Sequence, residues 1–330
     1  ISSQLKEVAY INLLEEQLEK SVRSHLISDV PVGAFLSGGL DSSAIVAFMS
    51  RINKERFKTF SIDFGEKSYS ELKYAKIVAN HFKTDHYWEI VKPDIRSILP
   101  KIVAHFDEPF ADSSAIPLYF LSKLAKEHVK VVMTGDGGDE LFAGYETYIA
   151  DTLTNFYRKT PKSFKKIFQD IVENLPVSHK KVSLDFKVKR FIGGANLPPM
   201  QAHLYWRTIF DNTNRRRILS NDVINNFSDK DVFTFFSLFF KKSNKMKGLN
   251  QFCYFDFKTY LPNDMLVKVD RMTMANSLEA RVPLLDSDLV ELAFRIPASL
   301  KVKNFKTKYI FKRTQIKILP KVILNRKKAG

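Results

Sequence analysis

Val30-Pro31-Val32-Gly33-Ala34-Phe35-Leu36-Ser37-Gly38-Gly39-Leu40-Asp41-Ser42-Ser43 decides how this chain is read. The apolar run from Val30 to Leu36 predicts a buried strand, and the pattern from Asp41 to Met49 predicts a helix. Ser37-Gly38-Gly39 joins them as a tight turn at the helix N-terminus. Glycines there let backbone N–H groups approach a bound anion, and the helix dipole favours negative charge at that point. Ser37, Ser42 and Ser43 add hydroxyls, while Asp41 is placed to hold a metal ion that screens phosphate charge. No Gly-Lys-Ser/Thr follows, which excludes the usual ATPase loop, and the third glycine of the dinucleotide fingerprint is missing. The stretch therefore predicts a nucleotide-phosphate site of a third kind.

Outward from this turn, apolar runs alternate with helical periodicity. Residues 5–27 predict a helix with Leu5, Val8, Ile11, Leu14, Leu18 and Val22 on one face. Strands are expected at 30–36, 58–64, 85–91 and 129–133, and helices at 41–53, 71–82, 94–105 and 117–128. Such alternation predicts an α/β fold with a doubly wound, mostly parallel sheet, whose ligands bind beyond the carboxyl ends of the strands. After about residue 150 the chain becomes lysine-rich, helix-like and punctuated by proline, which predicts an added helical subdomain. The expected division is a nucleotide-binding core over 1–150 and a mainly helical part over 151–330.

A second glycine-rich turn, Gly135-Asp136-Gly137-Gly138-Asp139-Glu140, follows the apolar strand 129–133. It belongs on the same sheet edge as the first. Asp41 and Asp139 suit Mg2+, because that ion takes one or two carboxylates and lets phosphate oxygens and water complete its octahedron. His81 and His86 have no Cys or His partner nearby, so they predict no metal set.

Composition narrows the class. The chain of 330 residues is 45% hydrophobic, which excludes a disordered chain, and no apolar run is long enough to span a membrane. Cys253, the only cysteine, rules out an internal disulfide and makes a reducing cytoplasm the expected location. Residues 1–150 carry 17 Lys and Arg against 21 Asp and Glu; the remainder carries 35 against 15. The excess is scattered over helix-like segments rather than gathered in one arm, which favours solvated faces over a nucleic-acid track.

The Ser37–Ser43 turn resembles the pyrophosphate loop of the ATP-pyrophosphatase superfamily, whose fold is of the adenine nucleotide α-hydrolase type. The flank Ser28-Asp29-Val30-Pro31-Val32-Gly33, the block Thr134–Tyr145, the block Leu278-Glu279-Ala280-Arg281-Val282-Pro283-Leu284-Leu285-Asp286 and the terminal Arg326-Lys327-Lys328-Ala329-Gly330 are similar to the synthetase domain of glutamine-dependent asparagine synthetases, in the same order. The resemblance implies ATP and Mg2+ as cofactors, and aspartate and ammonia as substrates. It implies adenylation of aspartate to β-aspartyl-AMP with release of pyrophosphate, then amidation by ammonia to asparagine. ATP binding is implied at Leu36, Ser37, Gly38, Gly39, Asp41, Ser42, Ser43, Ile62, Thr134 and Gly135, and metal and pyrophosphate binding at Asp41 and Asp139. Asp136 matches a carboxylate, often Glu in the family, that orients the amino-acid substrate or accepts a proton from ammonia. Lys328 matches a lysine on the acyl-adenylate and pyrophosphate, and Arg281 is a third catalytic candidate. The family's glutaminase domain begins with a catalytic cysteine that is not found here, and relatives continue past Gly330 with Phe. The expectation is a fragment of a longer chain, a synthetase domain missing both flanks, the N-terminal glutaminase domain among them. The alternatives are an amidotransferase acting on a sugar acid or peptide carboxylate and a tRNA-modifying adenylase; a homodimer is left open.

Overall fold

A computed structural model describes residues 6–66, 70–174, 184–210, 212–226 and 229–326. They divide into two compact units. The first comprises residues 1–142, 260–301 and 308–330, and the second residues 143–259 and 302–307. The chain leaves the first unit after residue 142, builds the second and then returns to the first.

The first unit is built on one parallel sheet of five strands: β1 (Val32–Phe35), β2 (Lys58–Asp63), β3 (Asp85–Ile90), β4 (Val131–Met133) and β5 (Glu279–Arg281). Their order is β3-β2-β1-β4-β5, with Ala34 opposite Thr59 on one side and Met133 on the other. Strand order reverses between β1 and β4, and that switch point is where an open α/β sheet offers a crevice. The helices are α1 (Glu7–His25), α2 (Leu40–Ile52), α3 (Leu72–Phe82), α4 (Ile95–Val103), α5 (Ala115–Lys126) and α6 (Gly138–Phe142). Expected strands and helices from 5 to 133 thus appear within a few residues of their predicted ends.

Burial explains why these segments adopt these periods. In α2, Ala44 to Met49 are all buried, as a helix sandwiched in an α/β layer requires. Phe35, Phe60, Val132 and Leu278 come from four neighbouring strands or their flanks and pack with Ala125 of α5 and Val129. α4 starts at Asp94, whose side chain accepts from the Arg96 N–H. His86 on β3 shares a hydrogen bond with Thr59, and burial, aided by the Lys76 charge, pushes its pKa down to about 4. It is a neutral structural histidine. Among the described residues no helix is long and apolar enough to cross a membrane.

The second unit is helical, and its centre is ionic. It includes α7 (Glu146–Lys159) and the helices Pro199–Arg207 and Leu249–Lys258. His203, 1% exposed, lies between Asp151 (2.7 Å) and Asp256 (3.0 Å). Asp256 also accepts from Arg207 (2.6 Å) and the Tyr148 hydroxyl (2.6 Å). Burial opposes the imidazolium, but the two carboxylates outweigh it and raise His203 to about 9. Burial also works against the Asp256 charge, yet His203 and Arg207 hold its carboxyl below the usual range. Cys253 on Leu249–Lys258 is buried, as expected of a small apolar side chain.

Candidate active site

The turn after β1 has the geometry that an anion site needs. Gly38 has φ +68°, and a Cβ there would come within 2.4 Å of the Ala75 backbone nitrogen in α3, so no other residue fits without displacing that helix. The N-terminus of α2 follows Gly39 with no side-chain cap. Its first N–H groups have no intrahelical partner and form the positive end of the helix dipole. Ser37 and Ser42 brace the turn through their hydroxyls at 3.1 Å, and the Gly39 N–H donates to the Ser37 Oγ at 3.1 Å. The Ser43 hydroxyl is fully buried with no hydrogen-bond partner among the described residues. A buried polar group left so is costly unless a ligand or water meets it.

The turn after β4 lies against the first. A Cβ on Gly135 would fall 2.7 Å from the Ser42 nitrogen and 2.9 Å from the Asp41 carbonyl carbon. Only a glycine lets the two strand-end loops approach this closely, which brings Asp41 and Asp139 to a common point. At that point lies a residue the sequence reading missed. Lys308 donates to Asp41 and lies 2.7 Å from Asp139, with its side chain 8% exposed. Burial works against its charge, but Asp139 and Asp41 prevail and raise its pKa above the ordinary lysine value. The only local signal at Lys308 is its left-handed backbone, φ 54°, unusual for a residue other than glycine.

Asp136, on the same turn, is a carboxyl whose pKa burial raises, with the neighbouring Asp139 adding to the rise. The Thr134 hydroxyl and the Lys268 charge pull it back. Lys268 is itself buried and donates to Asp112 at 2.5 Å. Neither Lys268 nor Asp112 stands out in sequence, because each sits in a segment that reads as ordinary helix or loop.

The expected adenine slot has two characters. Leu36 is 1% exposed and its N–H donates to the Phe60 carbonyl, while Ile62 is half-buried. Thr134 is buried and its N–H donates to the Arg281 carbonyl at 2.9 Å, which ties the β4 loop to β5. Arg281 is placed differently from the other candidates. Its guanidinium donates to the carbonyls of His25 (2.8 Å) and Ile27 (2.7 Å) and to Glu279, so its donors cap the end of α1. Lys328 lies outside the described residues. Two positions before it, Arg326 donates to the Ser37 carbonyl at 3.3 Å and pairs with Glu71, reaching the anion turn from the chain's last described residue.

No three His, Cys, Asp or Glu side chains among the described residues gather as a metal set. Asp41 and Asp139 alone fit a divalent cation that takes its other ligands from phosphate and water, and the close approach at Gly135 forms the cradle.

The family described as asparagine synthase matches residues 13–330. An asparagine synthetase (glutamine-hydrolysing) of Bacillus subtilis is 37% identical over 99% of this chain and 50% of its own length. A putative asparagine synthetase (glutamine-hydrolysing) of Mycobacterium bovis is 34% identical over 95% of this chain and 46% of its own. A putative one of Methanocaldococcus jannaschii is 44% identical over 46% of this chain and 29% of its own. The chain spans about half the length of the first two relatives.

Proposed function

We propose an activity for a chain that belongs to the asparagine synthase family: AMP-forming ligation of ammonia to the side-chain carboxylate of aspartate, at the expense of ATP. The observation that supports it most is the convergence of Asp41, Asp139 and Lys308 beside the uncapped N-terminus of α2. This is a site for phosphate charge without a P-loop lysine. Leu36, Ile62, Thr134 and Gly135 supply the adenine slot, and Ser37 to Ser43 the phosphate turn. Asp41 and Asp139 are the residues that would hold Mg2+, which supplies charge neutralisation on the phosphate oxygens when bound.

In the first step an aspartate β-carboxylate oxygen bonds to the α-phosphorus, and the bond to the β-phosphate oxygen breaks. Pyrophosphate leaves with its electrons. Lys308 shares its charge between Asp41 and Asp139 before this step and is placed to follow the pyrophosphate as charge develops. In the second step ammonia bonds to the acyl carbon, the bond to the AMP oxygen breaks, and a proton passes from nitrogen to Asp136. A carboxyl raised by burial is a better base at neutral pH than an exposed aspartate. The ammonia would come from a glutaminase activity of the kind named in the relatives, and a single buried cysteine fits a reducing compartment.

Chromatography of nucleotide products after incubation with aspartate, ammonium, ATP and Mg2+ tests this. AMP and pyrophosphate in equal amounts, dependent on aspartate, are expected. ADP as the coupled product, or no dependence on aspartate, overturns it.

A further inference from the structure

The phosphate turn is held from outside as well as from within. Inside it, the Ser37 N–H donates to the Ser42 Oγ at 3.3 Å, and the Ser37 hydroxyl meets the Ser42 hydroxyl and accepts from the Gly39 N–H. The remaining polar atom of Ser37 is its carbonyl oxygen. Arg326, 289 positions along the chain, donates to that oxygen from Nη1 at 3.3 Å. The arginine follows the short helix Lys321–Leu324, which packs on α2.

Arg326 is itself anchored. Its Nη2 pairs with the Glu71 carboxylate, its guanidinium carbon lies 4.2 Å from the centre of the Tyr74 ring, and its side chain is 8% exposed. Glu71 and Tyr74 stand at the start of α3, the same stretch of helix that backs Gly38: a Cβ on that glycine would come within 2.6 Å of the Tyr74 Cβ. One turn of helix thus supports the glycine and anchors the arginine. A lysine could not replace it here, because the planar guanidinium reaches two acceptors at once and stacks its face on a ring.

The peptide between Ser37 and Gly38 is where this hold matters. A trans peptide is planar, so its C=O and N–H point in opposite directions, and fixing the Ser37 carbonyl also fixes the Gly38 N–H. Glycine accepts either sign of φ at little cost, so a peptide plane beside it can turn over readily. Gly38 has φ +68°. It is buried, and its N–H has no acceptor among the described residues. Such a donor is costly unless a ligand or water meets it, and it serves a ligand only in one orientation of its plane.

We propose that Arg326 is a positioning residue for phosphate binding, locking the Ser37–Gly38 peptide so that the Gly38 N–H stays turned to the bound phosphates. The inference rests on the phosphate role given above to the turn from Ser37 to Ser43. An unpaired arginine would bind phosphate directly. This one, with Glu71 and the Ser37 carbonyl in its fork, acts through the turn. Without it the peptide samples both orientations, and the nucleotide must select one of them when it binds.

The test measures dissociation constants for ATP, pyrophosphate and adenosine by calorimetry, with Mg2+ present, on wild type, Arg326→Gln, Arg326→Lys and Glu71→Gln. Adenosine carries the base without phosphate, so it reports on the site apart from the turn. Arg326→Gln should weaken ATP and pyrophosphate by at least about tenfold, the loss of a charge-assisted hydrogen bond, and leave adenosine within about twofold. Arg326→Lys keeps the charge but not the fork, and should stay within about threefold of Arg326→Gln. Glu71→Gln sets two readings against each other. It removes a negative charge near the phosphate turn, so a purely through-space role for Arg326 requires ATP to bind as before or tighter. Loss of the anchor instead requires ATP to bind about threefold weaker or more. Unchanged or tighter ATP binding in Glu71→Gln overturns the inference, and so does full recovery in Arg326→Lys or an equal loss of adenosine. If Arg326→Gln does not fold, Arg326→Lys and Glu71→Gln decide between the same outcomes. A wild type that binds ATP no more tightly than adenosine overturns the phosphate reading of the turn instead, so the two failures are distinct.

Discussion

The two units each hold a cation between two aspartates: Lys308 between Asp41 and Asp139 in the first, His203 between Asp151 and Asp256 in the second. The charges match, but the settings do not. Asp41 and Asp139 sit in the first turns of α2 and α6, just past the strand-end loops, with side chains 19% and 20% exposed. Asp151 and Asp256 sit within helices, 3% and 0% exposed, and Asp256 is further bound by Arg207 and Tyr148. A clamp at an open loop edge can exchange its partners for a ligand's. A clamp with every side chain sealed can only hold helices together. On the proposed function the same ionic pattern serves a ligand in one place and holds helices in the other, and accessibility separates the two.

Several experiments can break this comparison. The largest effect should come from Asp256→Ala, which leaves His203 and Arg207 without their common carboxylate. Removing one partner of a buried pair costs about 3–5 kcal/mol, so differential scanning calorimetry should show a large fall in melting temperature. If the melting temperature is unchanged, the helical clamp is not a lock.

Next, Asp41→Asn and Asp139→Asn should each lower adenylation by about 100-fold, which is about 2.7 kcal/mol at 1.36 kcal/mol per tenfold, while melting shifts little. The double variant should lose little beyond either single one, since both carboxylates serve one site. Multiplicative losses followed over a Mg2+ series would show two separate functions.

A pH titration separates the clamps further. His203 is raised to about 9 from an ordinary value of 6.5, so its contribution to stability is complete below about pH 6.5. That contribution should fall as pH rises toward 9 and be lost above it. Urea unfolding across this range should show the decline in wild type and a flatter profile in His203→Gln. A decline of equal slope in both proteins would place the titration elsewhere.

The smallest effect is expected from Tyr148→Phe. It removes one of three donors to Asp256 and leaves the ion pairs in place, at a cost of about 1 kcal/mol. A loss as large as that of Asp256→Ala would mean that the hydroxyl, not the charges, organises the cluster.

Much of the first unit was legible in the sequence because its elements announce themselves by period. Val30 to Leu36 and Val129 to Met133 are largely apolar runs of strand length that lead into the two glycine turns, and in Lys58 to Phe64 the apolar Phe60, Ile62 and Phe64 alternate with polar residues. What escaped had no local pattern. β5 is three residues long, Glu279-Ala280-Arg281, with charges at both ends, and it is a strand only because the Glu279 and Thr134 N–H groups find the Lys130 and Arg281 carbonyls across the ladder. Lys308 stands among several lysines from Lys301 onward, so only its fold neighbours reveal its place. The change in composition near 150 was real, but nothing similar marks residue 260, where the chain rejoins the sheet unit. Arg281 reads in sequence as a cation set among apolar residues, and only the fold shows that its donors go to Glu279 and to the backbone ending α1.

The interrupted layout of the first unit bears on how the protein is made. β4 ends at Met133, whereas β5 begins at Glu279 and Lys308 comes later still. At ribosomal speeds of about 5–20 residues per second, the gap from β4 to β5 lasts roughly 7 to 30 s. Through that interval the nascent chain carries both glycine turns but lacks the lysine that neutralises Asp41 and Asp139, and β4 has an open edge. The phosphate edge cannot close until the second unit has been made, so a translation product truncated before Glu279 would expose an unfinished sheet while lacking the charge balance of the finished one.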